Sequence, residues 1–316
     1  MVGIGKKKRC LIGVDLSHET LTMAQLARRS QGTVLLEGRR LARPLDVAPG
    51  TPQWQRWAIS AMGQARRHSG FSGKDVIAAL PASDVFIDHI GCPRASDGTI
   101  EDAIFAKIKS KIPFCRVRKD VTIKYVPTEQ DHLMVFATER AVVDRHLAIY
   151  EHAGLRIKAI GMWPLALATC CAAFFSRRRD ELDAVVMLVD IQRERTNLAI
   201  ARNKNPLFAR SVRMGARQLY DESAVHRLGE ALAAARGELR VLYNDVRPER
   251  VIFLAGEVLD KEICRSLARQ LETRAQMGDC LESVEMRPER RTDLAKASQE
   301  EGWALAFGLS LCSGQL

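Results

Sequence analysis

The feature that most constrains this chain is a pattern it carries twice. Val14, Asp15 and Leu16 are followed by a short polar turn and Thr20, and Val189, Asp190 and Ile191 by a short polar turn and Thr196. The same order of elements surrounds each copy. In RCLIGVDLSHETLTMAQLARRSQGTVLLEGRRLARP, three apolar runs are separated by polar turns, the pattern of an antiparallel meander. WQRWAISAMGQARRHSG then places Trp54, Trp57, Ile59, Ala61 and Met62 on one side of a helix with a predicted stop at Gly70, and VIAALP reads as a buried strand ended by Pro81. In the second half, AVVMLVDIQ, TNLAIARN and PLFARSVRMG give three strands. His226 to Asn244 gives a helix through Leu228, Leu232, Ala235, Leu239 and Leu242, and RVIFLAG gives a strand. Two matching βββαβ units predict two similar α/β lobes that face each other.

The segment between the repeats has a different character. VFIDHIGCP, a helix in GTIEDAIFAKIKSKIPF, strands in VTIKYVPT and HLMVFATER, and a helix in RAVVDRHLAIYEHAG read as a small αββα insertion, with hairpin turn chemistry at Pro127 and Asp131. RIKAIGMWPLALATCCAAFF returns the chain to the first lobe.

A chain of 316 residues, 47% of them hydrophobic, is long enough to bury two cores. Its 48 Lys and Arg against 38 Asp and Glu give a formal charge of +10, a bias towards anionic partners that a solvated basic exterior explains equally well. Nucleic acid is not the expected partner, because the basic residues cluster only at Lys6 to Arg9 and Arg177 to Arg179 and no aromatic platform is interleaved with them. Anionic lipid attracts basic residues near a membrane surface by about 1 kcal/mol each, so contact with the cytoplasmic face of a membrane fits the charge. No apolar segment approaches the ~20 residues that cross a bilayer, and Trp163 to Phe175, broken by Thr169 and two cysteines, reads as a buried helix. The eight cysteines form no CxxC pair and the seven histidines no HExxH spacing. An intracellular protein with reduced thiols and no metal site is expected.

Several stretches, in chain order, carry a family resemblance. IGVDLSHETLTMAQL is similar to a first phosphate hairpin, and ALPASDVFIDHIGCP to the strand pair that enters an inserted subdomain. KIPF at Lys111 to Phe114 and EHAGLRIKAIGMWPLALA resemble the pattern closing that insertion. VMLVDIQRERTNLAIARNKNPLFARSVRMGARQL resembles a second phosphate hairpin with its follow-on at Arg213 and Gly215, VIFLAGEVLD an adenosine motif, and WALAFGLSL a closing helix. Together they resemble the actin-like superfamily and, within it, the PilM family of type IV pilus assembly proteins, with FtsA a more distant relative. The resemblance implies an α/β fold of two actin-like (RNase H-like) lobes. Residues 1–91 and 157–181 would form the first (1A), 92–156 the inserted 1C-type subdomain, and 182–316 the second (2A), with subdomain 2B largely reduced around 215–228.

The same resemblance makes Asp15, Ser17, Thr20, Asp190, Thr196 and Gly256 the positions of a nucleotide and phosphate site. A hairpin that wraps phosphates must bring backbone N–H groups close to an oxyanion, which calls for glycine. Leu16, Ser17 and His18 stand there in one hairpin, and Ile191, Gln192 and Arg193 in the other. Only YDESAVH separates the Gly215 region from the next helix, so a wall of the adenine pocket is expected to be missing, and Glu257 replaces the second glycine after Gly256. Asp15 and Asp190 keep two readings, organisers of Mg²⁺ or strand-end carboxylates that accept turn N–H groups. The expectation is a vestigial site with no cofactor, ATP and Mg²⁺ being disfavoured, and no catalytic residue. Two alternatives stay open. One is an ATP-binding family member that uses side chains such as Arg193 and Arg195 and whose nucleotide state regulates partner binding. The other is a sugar-kinase-like enzyme, for which no catalytic aspartate or substrate loop stands out.

What the resemblance leaves is interaction. It implies capture of the cytoplasmic tail of a PilN-like bitopic inner-membrane protein, in a groove between the first lobe and the insertion, where main-chain bonds give affinity and pockets give selectivity. Candidate groove residues are Ile112, Phe114, Val121, Ile123 and Tyr125, each of which would serve equally well as core of the insertion. The chain is thus expected to be a cytoplasmic adaptor, peripheral at the inner membrane, in a type IV pilus or related secretion platform, without ATP turnover.

Overall fold

Strand β1 (Lys8–Leu16) and strand β2 (Thr20–Arg29) form the first hairpin, antiparallel with Asp15 opposite Thr22, and β3 (Gly32–Ala42) completes the meander. They belong to a computed structural model that describes residues 8–30, 32–93, 99–114, 116–176, 183–254, 261–286 and 302–312. Helix α1 (Pro52–Arg67) follows. Thr51 caps it by accepting the N–H of Trp54, Pro52 occupies its first turn, and Trp54, Ala58, Ala61, Met62 and Ala65 form its buried stripe. The helix ends before the predicted stop. His68 closes it through an N–H to Gln64 O, while the N–H of Gly70 goes to the Glu37 carboxylate at 2.6 Å. Strand β4 (Asp75–Ala79) then pairs parallel to β1, and β8 (Arg156–Gly161) parallel to β4, giving the order β3-β2-β1-β4-β8.

The second lobe repeats this topology. Strands β9 (Val185–Ile191), β10 (Thr196–Arg202) and β11 (Asn205–Val212) make the meander. Helix α5 (Glu222–Leu242), β12 (Arg250–Phe253), α6 (Lys261–Gln270) and β13 (Arg274–Met277) follow, in the sheet order β11-β10-β9-β12-β13. Leu228, Leu232, Ala235 and Leu239 are the buried stripe of α5, as the period predicts. Only residues 213–221, with one short turn of helix, join β11 to α5.

The insertion is a three-stranded sheet in the order β5-β7-β6, made of β5 (Phe86–Gly91), β6 (Val121–Pro127) and β7 (His132–Glu139). Helix α2 (Ile100–Ile108) covers one face with Ile104 and Ile108. Gln130 and Asp131 turn the β6–β7 hairpin at φ 52° and 56°, both in the left-handed region that such two-residue turns require. Two boundaries differ from the expected 92–156. The sheet already begins at Phe86, and helix α3 (Arg140–His152) buries Ile149 and Tyr150 in the first lobe's core, beside Trp54 and Val76, not in the insertion's.

Helix α4 (Trp163–Phe174) leaves the first lobe but packs on Ala199, Ala201 and Ala209 of the second, whereas α8 (Ala304–Leu311) ends the second lobe and packs on β1 and β2 of the first. The exchanged helices touch backbone to backbone. A Cβ at Gly308 would lie 1.9 Å from Ala166 O, and one at Gly13 would lie 2.1 Å from Ala306 O. The segment after short helix α7 (Cys280–Ser283) adds to the edge of β3, with Leu35 N–H donating to Glu285 O at 2.9 Å. Among the described residues no helix is long and apolar enough to cross a membrane.

Candidate functional site

The first hairpin spends its own donors. Ser17 Oγ accepts the N–H of Glu19 at 3.1 Å and of Thr20 at 2.9 Å, and lies 3.1 Å from Thr20 Oγ1. Both are turn amides at the end of the hairpin, and the serine hydroxyl is their acceptor. Arg43 clamps the turn from outside, donating to His18 O at 2.9 Å and pairing with Glu19 at 2.8 Å in a largely buried ion pair. Asp15 is buried at the end of β1, 8% exposed.

The second hairpin is also engaged within the chain. Asp190, 4% exposed, accepts from Gln192 Nε2 at 3.0 Å and Asn197 Nδ2 at 3.4 Å. Thr196 is fully buried and donates to Met214 O at 2.7 Å. The turn after β11 folds back onto the hairpin: Ala216 N–H reaches Gln192 O at 2.8 Å, Arg217 N–H reaches Arg193 O at 3.0 Å, and Glu194 pairs with Arg217 at 2.6 Å. Gly215 allows this, because a Cβ there would lie 2.3 Å from Arg195 N and 2.5 Å from Gln192 O. Arg195 donates to Ser211 Oγ at 3.2 Å, and burial together with the nearby Arg213 lowers its pKa against the pull of Asp84.

Between the hairpins lies a cleft of about 120 Å³, walled by Ser17, His18 and Glu19 on one side and Gln192 to Arg195 on the other. Ligand pockets commonly measure about 300–1,000 Å³. Asp15 and Asp190 do not reach its walls. At its rim His18 stands edge-on to Trp54 with ring centroids 5.5 Å apart, 3.5 Å from Asp84 and 3.4 Å from Ser83 Oγ. Burial pushes the Asp84 carboxyl up, but the bonds from His18 and Ser83 and the charges of His18 and Arg145 outweigh it and hold the pKa below the usual carboxylate value. Neither His18 nor Asp84 is singled out by spacing, since each sits in an ordinary turn of the sequence. Gly256 and Glu257, the adenosine-motif positions, lie outside the described residues.

A second concavity separates the first lobe from the insertion. It measures about 420 Å³ and runs between Ala159 to Trp163, Thr122 and Lys124 of β6, Phe136 of β7 and Val143 of α3. Of the sequence-derived groove residues, Ile112, Val121 and Ile123 are buried in the core under α2, with Phe114 and Tyr125 packed against it. Alternation along β6 turns Val121, Ile123 and Tyr125 to α2 and leaves Thr122 and Lys124 for the groove. Of the five candidates, none lines this groove. Phe114 lines a different cleft, of about 480 Å³, between the insertion and β11.

Residues 13–236 match the family model of the type IV pilus assembly protein PilM. The chain belongs to the PilM family. Its structure is similar to a chain of the "PilM-PilN type IV pilus biogenesis complex", with TM-score 0.74 and 20% identity over 96% of this chain and 98% of that one. It is also similar to the ethanolamine utilization protein EutJ from Carboxydothermus hydrogenoformans, with TM-score 0.51 and 13% identity over 96% of this chain and 89% of that one. A Bacteroides thetaiotaomicron protein described as having an actin-like ATPase fold gives TM-score 0.50 and 10% identity over 88% and 94%. These likenesses establish the fold: the two lobes are actin-like. A search of curated protein sequences finds no match. In this PilM family member the matched span covers the first lobe, the insertion, the second-lobe meander and most of α5, while β12, α6, β13 and α8 lie beyond it.

Proposed function

We propose that this PilM family protein is a cytoplasmic adaptor of a type IV pilus or related secretion platform, which binds the cytoplasmic tail of a PilN-like inner-membrane protein and does not turn over ATP. The observation that carries the reading is the groove of about 420 Å³ between β8 and the insertion. β8 is the last strand of the first lobe's sheet, so its outer edge offers main-chain groups to an extended segment. Ile160, Met162 and Phe136 offer apolar pockets beside it, and Lys124 adds a cation at the wall. A partner of this kind, named in the similar complex, would hold the protein at the membrane face.

The nucleotide half of the reading rests on the hairpins. Ser17 already occupies two loop amides, Asp190 is held by Gln192 and Asn197, and the cleft between the hairpins is small. ATP with Mg²⁺ does not fit residues so arranged, and few preorganised donors remain to stabilise a transition state.

Calorimetry tests both halves. Saturable binding of a synthetic peptide from the N-terminal tail of the cognate PilN-like protein supports the adaptor role, and no binding sinks it. Clear binding of MgATP by the same preparation would remove the claim of a silent nucleotide site.

A further inference from the structure

The β13 end of the second lobe's sheet is an edge apart from the groove between β8 and the insertion. Among the described residues, strand β13 is the terminal strand there and pairs only with β12, and all four of its residues are exposed. Its pairing fixes which main-chain groups are free. Gly278 N–H donates to Phe253 O at 2.9 Å, so the amides of even-numbered neighbours face β12. By alternation Ala275 and Met277 direct their N–H and C=O groups away from the sheet. An open edge of this sort is a template for another strand.

Alongside runs helix α6. Lys261, Arg265 and Arg269 recur every four residues and are exposed, forming one basic stripe beside the strand. Arg274 is exposed at the start of β13. Among the described residues, the side chains of these four cations have no hydrogen-bond or ion-pair partner. Strand and stripe bound a shallow groove of about 670 Å³, in which Ala275 and Met277 supply apolar contact and Glu262 is the one carboxylate among the described lining residues.

We propose that this groove captures an extended acidic peptide segment of a partner protein, which adds to β13 as a further strand and places its carboxylates against Lys261, Arg265 and Arg269. The open edge selects an extended main chain, and the unpaired cations select its charge. A single-stranded nucleic acid would share the charge but fits poorly, because the one aromatic residue in the groove, Phe253, is fully buried and offers no ring face for stacking.

The test uses the whole protein and a short fluorescein-labelled peptide alternating Glu and Val, followed by anisotropy, with a Lys/Val peptide and polyglutamate as controls. The alternating acidic peptide is expected to bind, and the controls to bind at least about tenfold more weakly. R265E/R269E is expected to weaken binding by about tenfold or more, with a shallower salt dependence. Ala275→Pro removes an outward N–H without touching the β12–β13 ladder, a place where an edge strand tolerates proline, and is expected to weaken binding while the thermal melt is kept. The proposal is overturned if the acidic and basic peptides bind alike. It is also overturned if Ala275→Pro leaves affinity unchanged, or if polyglutamate, single-stranded DNA or anionic vesicles bind as well as the alternating peptide, since each result would describe a general polyanion patch and not strand capture.

Discussion

His89, on the first strand of the insertion, accepts the backbone N–H of Ala209 on β11 at 3.2 Å through its Nε2 and stacks on Phe208 at 4.5 Å with the rings 9° apart. The insertion therefore rests on both lobes, although its chain enters and leaves through the first. A second contact lies at its hairpin tip, where Thr128 Oγ1 meets Tyr243 OH at 2.6 Å and Glu129 pairs with Arg202. Only residues 213–221 lie between β11 and α5, and the insertion's edge strand β5 reaches β11 directly.

This docking should depend on pH. To accept from Ala209, His89 must be neutral; burial, with Arg210 and His132, lowers its pKa from 6.5 to about 4 despite the opposing Asp88. The folded value lies below the unfolded one, so the stabilisation is complete above pH 6.5 and is lost as pH falls through about 4. His89→Gln keeps an acceptor that does not titrate. The loss in urea stability between these pH values is expected to be smaller in the variant by on the order of 2 kcal/mol. His146, buried and also lowered to about 4, contributes equally to both proteins and cancels in the difference. Identical pH profiles would rule the docking role out.

Gly215 should be irreplaceable for a reason of space. A Cβ would meet Arg195 N at 2.3 Å, and the obstructing atoms are backbone, which cannot rotate away. Gly215→Ala is expected to destabilise the fold by about 1–3 kcal/mol, seen as a lower urea midpoint. An unchanged midpoint would mean that the turn does not lean on the hairpin.

Much of this architecture is readable from sequence because its signals are local. Apolar runs separated by polar turns mark β1 to β3 and β9 to β11, and the buried stripes of α1 and α5 follow the helical period. What failed depended on tertiary partners. Gly70 resembles a helix stop, but its N–H is claimed by Glu37, far away in sequence. The face of β6 was ambiguous because both sides of VTIKYVP carry apolar residues, and only the position of α2 decides which one becomes core. The absence of hairpin glycines was visible at once. That Ser17 would itself satisfy the loop amides was not, since serine in a turn carries no mark of the bonds it makes.

Ser17→Gly separates those two effects. Removing the hydroxyl frees the N–H groups of Glu19 and Thr20, which regain water as a partner, so stability is expected to fall by about 1 kcal/mol. MgATP is still expected to show no saturable heat in calorimetry, because the second hairpin remains tied to residues 214–217. Tight binding by the variant would show that one serine, and not both hairpins, closes the site.

The groove reading makes opposite demands on neighbouring residues. Val143 is half-buried on α3 and faces the groove, whereas Ile123 points from β6 into the insertion's core. Val143→Glu places a charge where an apolar tail side chain would sit and is expected to weaken binding of the PilN-like tail peptide by about 2 kcal/mol or more, with the circular dichroism spectrum and melt unchanged. Ile123→Ala empties core volume and is expected to lower stability by about 2–5 kcal/mol, while the folded fraction binds the peptide with near-normal affinity. Titrating both variants with the same peptide decides the matter: if Val143→Glu binds normally and Ile123→Ala does not, the tail docks elsewhere and the outer face of β6 is not its site.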